Sequence, residues 1–176
     1  MQIKLDRWQK FLGILCSIAS IIVLFQSAIT PVSAQHISSI PGQTILAFAP
    51  NIPGGGLDFH EAAGGHTLEK HVGKTEAELA QRLAKDRRIS AASSFTYRSV
   101  AESAIAEAME EKKSAIDSWV KKGTNRYTIK YDTHKIIGIT LARRASKATS
   151  TSRLKIILQR STKLSPGYFI LTAYPE

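Results

Sequence analysis

Apolar positions along the chain change their period near Gly123. From about Arg98 to Lys122, Ile105, Met109, Ile116, Trp119 and Val120 keep the 3.6-residue spacing of one long helix. Lys121 and Lys122 suit the negative end of its dipole, and Gly123 suits the position after its last turn. Upstream, Thr75-Glu76-Ala77-Glu78 is a capping box that opens a helix running to about Lys85, with Leu79 and Leu83 inward. The segment from Phe59 to His71 also reads as helical, broken at Gly64-Gly65. Beyond Gly123 the period falls to two. Tyr127, Ile129 and Tyr131 alternate with polar residues, a turn follows at Asp132-Thr133-His134, and Ile137, Ile139 and Leu141 alternate again. Arg144 to Ser152 is polar and reads as a loop. Leu154, Ile156 and Leu158 mark a third strand, and Ser165-Pro166-Gly167 turns the chain into a last one. Helices followed by an antiparallel sheet with one buried face predict an α+β domain.

Simple alternation in the last strand points Phe169, Leu171 and Ala173 one way and Tyr168, Ile170, Thr172 and Tyr174 the other. The first set suits a core. The second sets two hydroxyls about 7 Å apart along the strand, a spacing that fits two donors around one phosphate. Thr and Tyr also favour strands for packing alone, so the spacing admits a purely structural explanation.

The chain ends change the picture in one respect. Lys4, Arg7 and Lys10 precede a largely apolar run from Phe11 to Phe25, and Val32-Ser33-Ala34 fits a signal-peptidase site. Residues 1–34 are therefore expected to be an export signal, with a secreted or periplasmic product. Extension of the apolar run to Ile29 approaches the roughly 20 residues of a membrane span, which leaves an uncleaved N-terminal anchor as the alternative. Residues 35–57 carry Pro41, Pro50, Pro53 and Gly54-Gly55-Gly56 but no charge, and read as a linker or extended arm. Residues 58–176, about 120 in number, suffice for one domain with its own core. The only cysteine, Cys16, lies within the signal, so the mature domain has no disulfide. Cleavage would remove three basic residues and one acidic residue from a formal net charge of +10, leaving +8. That excess favours polyanions without choosing between nucleic acid and an anionic membrane.

Candidate chemistry is sparse. His71 precedes the Val72-Gly73 break between two helices, where a side chain can face a cleft, and imidazole suits proton transfer near neutral pH. A packed or capping histidine is the ordinary alternative. His66 lies five residues earlier, about 140° around a common helix, which predicts that the two histidines do not share a face. Arg82 is either the partner of Glu78, four residues before it, or a fork for phosphate. Lys74 is a second nearby cation. No histidine pair has metal-ligand spacing, and Gly54-Gly55-Gly56 lacks the Gly-Lys-Ser/Thr of a phosphate loop. No metal or cofactor is expected.

Gly55-Gly56-Leu57 through Thr75, including His60-Glu61-Ala62-Ala63-Gly64-Gly65-His66-Thr67-Leu68 and His71-Val72-Gly73-Lys74-Thr75, forms one recognisable block. Ala92-Ser93-Ser94-Phe95-Thr96 and Leu171-Thr172-Ala173-Tyr174-Pro175 form two others. In combination they resemble the ribonuclease A-like toxin domains of bacteria, the C-terminal effectors of contact-dependent growth inhibition proteins. The resemblance spans about residues 56–176. It implies a kidney-shaped ribonuclease A fold without disulfides, and an active site of His71, Arg82, Thr172 and Tyr174. It further implies metal-independent RNA cleavage by 2′-hydroxyl attack to a cyclic phosphate. In that scheme His71 transfers a proton, Arg82 neutralises the phosphorane, and Thr172 and Tyr174 orient it, with Tyr174 a candidate acid. Lys74 and His66 are second-rank substrate contacts, and Arg126, Lys130 and Lys155 would steer RNA from the sheet. A toxin of this kind implies an acidic immunity partner, and the expected form is a monomer without membrane association once the signal is cut. A catalytically idle RNA-binding module and a membrane-anchored interaction domain are the rival readings.

Overall fold

The computed structural model describes residues 50–176. The expected export segment and most of the expected arm lie outside that range. Ile52 and Leu57, at the arm's end, are buried in the domain's core.

Eleven elements follow in order: α1 (Leu57–Ala62), α2 (Thr67–His71), α3 (Glu76–Lys85), β1 (Ala91–Phe95), α4 (Arg98–Glu111), α5 (Lys113–Lys122), β2 (Arg126–Asp132), β3 (Gly138–Ala142), β4 (Thr149–Thr151), β5 (Arg153–Arg160) and β6 (Tyr168–Pro175). The class is α+β, as expected. No helix among the described residues is long and apolar enough to cross a membrane.

The strands form two antiparallel three-stranded sheets, β1-β3-β4 and β2-β5-β6, rather than the single sheet suggested by the alternation. The turn at Asp132-Thr133-His134 is accordingly a passage between sheets and not a hairpin, because β2 pairs with β5 while β3 pairs with β1 and β4. Ala91–Phe95, too short and too rich in serine to show a strand pattern, becomes β1, and Thr149–Thr151 becomes β4 inside the expected loop.

The single long helix predicted from Arg98 to Lys122 is instead two, meeting at Lys112 (φ −97°, ψ 9°). The apolar stripe lapses there: one turn beyond Met109 come the half-buried Lys112 and the exposed Lys113, and it resumes at Ile116 and Trp119. Both helices contribute to the main core, with Ile105, Met109 and Trp119 facing Ile129, Leu154, Ile156, Leu158 and Ile170 of the β2-β5-β6 sheet. Each such side chain contributes about 1.5–3 kcal/mol on full burial. A second cluster, Leu79, Leu83, Ala92 and Leu141, seats α3 on β1 and β3. The capping box of α3 forms as predicted: the Glu78 amide donates to Thr75 Oγ1 (3.3 Å), and the Thr75 amide donates to Glu78 Oε2 (2.7 Å).

The short helices α1 and α2 cover the free edge of β6. The Ile170 amide donates to His60 Nδ1 (3.0 Å), the Ala173 amide to Thr67 Oγ1 (2.9 Å), and the His66 amide to the Leu171 carbonyl (3.0 Å). A sheet edge that would otherwise present unpaired backbone groups is thereby satisfied. Gly65 permits the approach, since a Cβ there would fall 2.5 Å from the Ile170 carbonyl oxygen.

Candidate active site

The β5–β6 ladder carries a register shift beside Leu171: Ile157 faces Thr172, yet Leu158 faces Ile170. The extra residue reverses the alternation. Tyr168, Ile170 and Ala173 join the main core, while Thr172 and Tyr174 share the opposite face. Uninterrupted alternation had placed Tyr168 and Ile170 with the two hydroxyl residues; the bulge separates them and leaves the Thr172–Tyr174 pairing intact.

That face meets the end of α2. His71 closes the helix, and Gly73, with φ 67°, reverses the chain so that its amide donates to the Phe95 carbonyl (3.0 Å). The imidazole is thus held against β1. Its Nδ1 lies 3.0 Å from the Ser93 carbonyl oxygen, which can only accept, so Nδ1 carries the proton and Nε2 keeps its lone pair. Nε2 stands 3.5 Å from Arg82 Nη1. The ring stacks on Tyr174, with centroids 5.1 Å apart and planes 26° from parallel. Burial, and after it the Arg82 guanidinium, push His71 from 6.5 down to about 3. His71 is therefore neutral at physiological pH.

Arg82, on α3, donates from Nη1 to the Lys70 carbonyl (3.0 Å). Its alternative partner, Glu78, is engaged by Thr75 in the capping box. Thr172 is 6% exposed, and its hydroxyl has no hydrogen-bond partner among the described residues. Lys155 lies across the ladder from Tyr174 with its Nζ 5.7 Å from the ring centroid, and donates to Glu176 Oε1 (2.7 Å). That hydrogen bond raises the Lys155 pKa and lowers that of Glu176.

His66, His71, Arg82, Lys155, Thr172 and Tyr174 all line one cavity of about 500 Å³. Lys74 and Lys130 do not. Lys74 offers its backbone amide to Ser94 Oγ (2.8 Å), and Lys130 sits 3.7 Å from the Glu176 carboxylate. His66 departs from the helical-wheel expectation because α2 begins only at Thr67; His66 caps it with an irregular backbone (φ −152°, ψ 32°) and reaches the same cavity as His71. Burial is the main cause of its lowered pKa. The sequence had not singled out Arg88, Ser90, Thr140 or Glu176, which complete the wall. The Ser93 carbonyl that sets the His71 tautomer had no sequence signal, since any residue carries one. Among the described residues no three His, Cys, Asp or Glu side chains gather into a metal-binding group.

The arrangement joins a neutral base, a fixed cation, a free hydroxyl and a phenol around one space. The family described as the bacterial CdiA-CT RNAse A domain matches residues 65–175, which include His66, His71, Arg82, Lys155, Thr172 and Tyr174. The crystal structure of a CdiA-CT/CdiI complex from Y. kristensenii 33638 is similar to this chain with a TM-score of 0.60 and 35% identity, over 64% of this chain and 99% of that one. Among curated proteins the chain has no significant match.

Proposed function

We propose that this chain, which belongs to the bacterial CdiA-CT RNAse A domain family, is an endoribonuclease that cleaves RNA without a metal ion, through a 2′,3′-cyclic phosphate. The observation that carries the reading is the His71 Nε2 lone pair, held in place by the Ser93 carbonyl and set beside Arg82 and Tyr174 in one cavity.

His71 Nε2 takes the proton of a ribose 2′-hydroxyl as that oxygen attacks the adjacent phosphorus. A pKa of about 3 makes a weak base, but the Arg82 contribution to it eases when substrate enters. A phosphate anion offsets the Arg82 charge and favours imidazolium, so the basicity of Nε2 rises in the complex. Arg82 and the unpartnered Thr172 hydroxyl meet the equatorial oxygens, where charge accumulates in the transition state. The bond from phosphorus to the 5′-oxygen breaks, and the Tyr174 hydroxyl gives that oxygen its proton. The Lys155 ammonium, held by Glu176, stabilises the phenolate left behind. The imidazolium of His71 then loses its proton to solvent, and the Tyr174 phenolate takes one up, which restores both groups. Products are a 2′,3′-cyclic phosphate and a 5′-hydroxyl.

The structural relative is a complex with CdiI, which supports a neutralising partner for this chain, acidic to match its positive charge. The basic n-region and apolar run of residues 1–34 support export, and the CdiA-CT relative supports a toxin role for the exported chain. Analysis of the RNA ends tests the chemistry: cyclic phosphate with 5′-hydroxyl is expected, and 5′-phosphate ends would contradict it.

A further inference from the structure

A second cavity, of about 460 Å³, adjoins the active site. Arg88, Ile89 and Ser90 line both, so the surface runs unbroken from His71 and Tyr174 to Arg87, Arg143 and Arg144. The β1–β3 ladder ends here, and the segments continuing it carry the four guanidinium groups. The Arg143 amide donates to the Ser90 carbonyl (2.8 Å) and holds the two segments together. Its side chain donates from Nε to the Ile89 carbonyl (3.1 Å) and from Nη2 to the Ile89 and Asp86 carbonyls (2.9 and 2.6 Å). Carbonyl acceptors fix the side chain without neutralising it. Arg88 is paired with Asp86 at 3.0 Å. Arg87 and Arg144 are exposed and paired with no carboxylate among the described residues. Four guanidinium groups thus share one carboxylate on a strip that opens into the reaction cavity.

We propose that this strip binds the backbone phosphates of an RNA strand to one side of the bond that is cut, so that a polynucleotide is preferred to a short fragment. The inference rests on the ribonuclease reading for the identity of the strand. A strand whose scissile phosphate lies between His71 and Arg82 leaves the cavity past Arg88 and Ser90, where its next phosphates meet fixed positive charge. A basic surface kept only for solubility would not gather its charge at the mouth of the active site. Lys121 and Lys122 illustrate that ordinary case: they stand in the last turn of α5, where their charge opposes the helix dipole.

The test uses the full chain, its Arg87→Ala/Arg144→Ala variant and a Lys121→Ala/Lys122→Ala control with the same loss of charge. Binding is measured against salt concentration with a single-stranded deoxyoligonucleotide, which lacks the 2′-hydroxyl and cannot be cut, and with a deoxydinucleotide. Loss of two phosphate contacts lowers the log–log salt slope by about 1.4 and weakens oligonucleotide binding about tenfold at low salt. Dinucleotide binding stays unchanged, and the lysine control keeps the wild-type slope. An unchanged slope in the arginine variant overturns the proposal and leaves the strip to a protein partner. An equal fall in the lysine control also overturns it, because charge alone then accounts for the effect. A parallel assay on an RNA oligonucleotide separates the two readings. Cleavage without strip dependence sinks only the strip, and strip-dependent binding without cleavage sinks only the ribonuclease reading.

Discussion

Acid should unfold this domain through its buried histidines. His60 is 1% exposed and accepts the Ile170 amide at Nδ1, and burial pushes it from 6.5 down to about 4. His71 is pushed down to about 3, by burial first and Arg82 second. In the unfolded chain both regain a pKa of about 6.5. Folded values below unfolded ones mean that the unfolded state binds protons the native state refuses. The stabilisation is complete above about pH 6.5 and is lost as pH falls toward the folded values. Between about pH 5.5 and 4.5 the difference is close to two protons, a slope of about 2.5 kcal/mol per pH unit. Small domains have about 5–15 kcal/mol in all, so about a sixth to a half of the stability goes within that unit. His66, lowered mainly by burial, acts in the same direction. Urea unfolding followed by the fluorescence of buried Trp119, at about pH 7, 5.5 and 4.5, measures the slope. His60→Asn keeps an acceptor for Ile170 but does not titrate, and should remove about 1.4 kcal/mol per pH unit from it. Equal stability at all three pH values, or an Asn variant with the wild-type slope, would refute the reasoning.

Substitutions at three positions extend the test. Arg82→Ala should lower kcat on RNA about 10²–10³-fold and raise the His71 midpoint seen by NMR titration, because the guanidinium helps hold it down. Arg82→Lys should restore the charge but not the fork, and recover only part of the rate. Gly65→Ala would set a Cβ 2.5 Å from the Ile170 carbonyl oxygen and 2.8 Å from that of His60, both backbone atoms. It should cost about 1–3 kcal/mol in denaturant unfolding and reduce activity by shifting the strand that carries Thr172 and Tyr174. Thr75→Ala removes the capping box of α3 and should cost about 1 kcal/mol with kcat little changed.

Local signals were legible in the sequence where one short-range rule decides the outcome. The α3 capping box needs only Thr75 and Glu78, and the β5 core face needs only the alternation of Leu154, Ile156 and Leu158. Features that depend on distant partners were not. The division into two sheets rests on pairings such as Ala92 with Leu141, which no local pattern encodes. The bulge at Leu171 belongs to the pairing of β6 with β5, so simple alternation misplaced Tyr168 and Ile170. His66 reached the cavity because its helix starts one residue later than a continuous wheel assumes. Of the lysines offered as substrate contacts, Lys155 lines the cavity, whereas Lys74 and Lys130 do not. The family resemblance brought His71, Arg82, Thr172 and Tyr174 together before the geometry did. The tautomer of His71 and the neutrality imposed by burial required the folded chain.

Cleavage of RNA in EDTA by the purified protein, beside His71→Ala and Tyr174→Phe, tests the central claim most directly. The account predicts cleavage by the wild type and a loss of about 10²–10⁴-fold in each variant, with the near-ultraviolet circular dichroism of the fold retained. Full activity in a folded His71→Ala variant, or wild-type cleavage that EDTA abolishes, would contradict it.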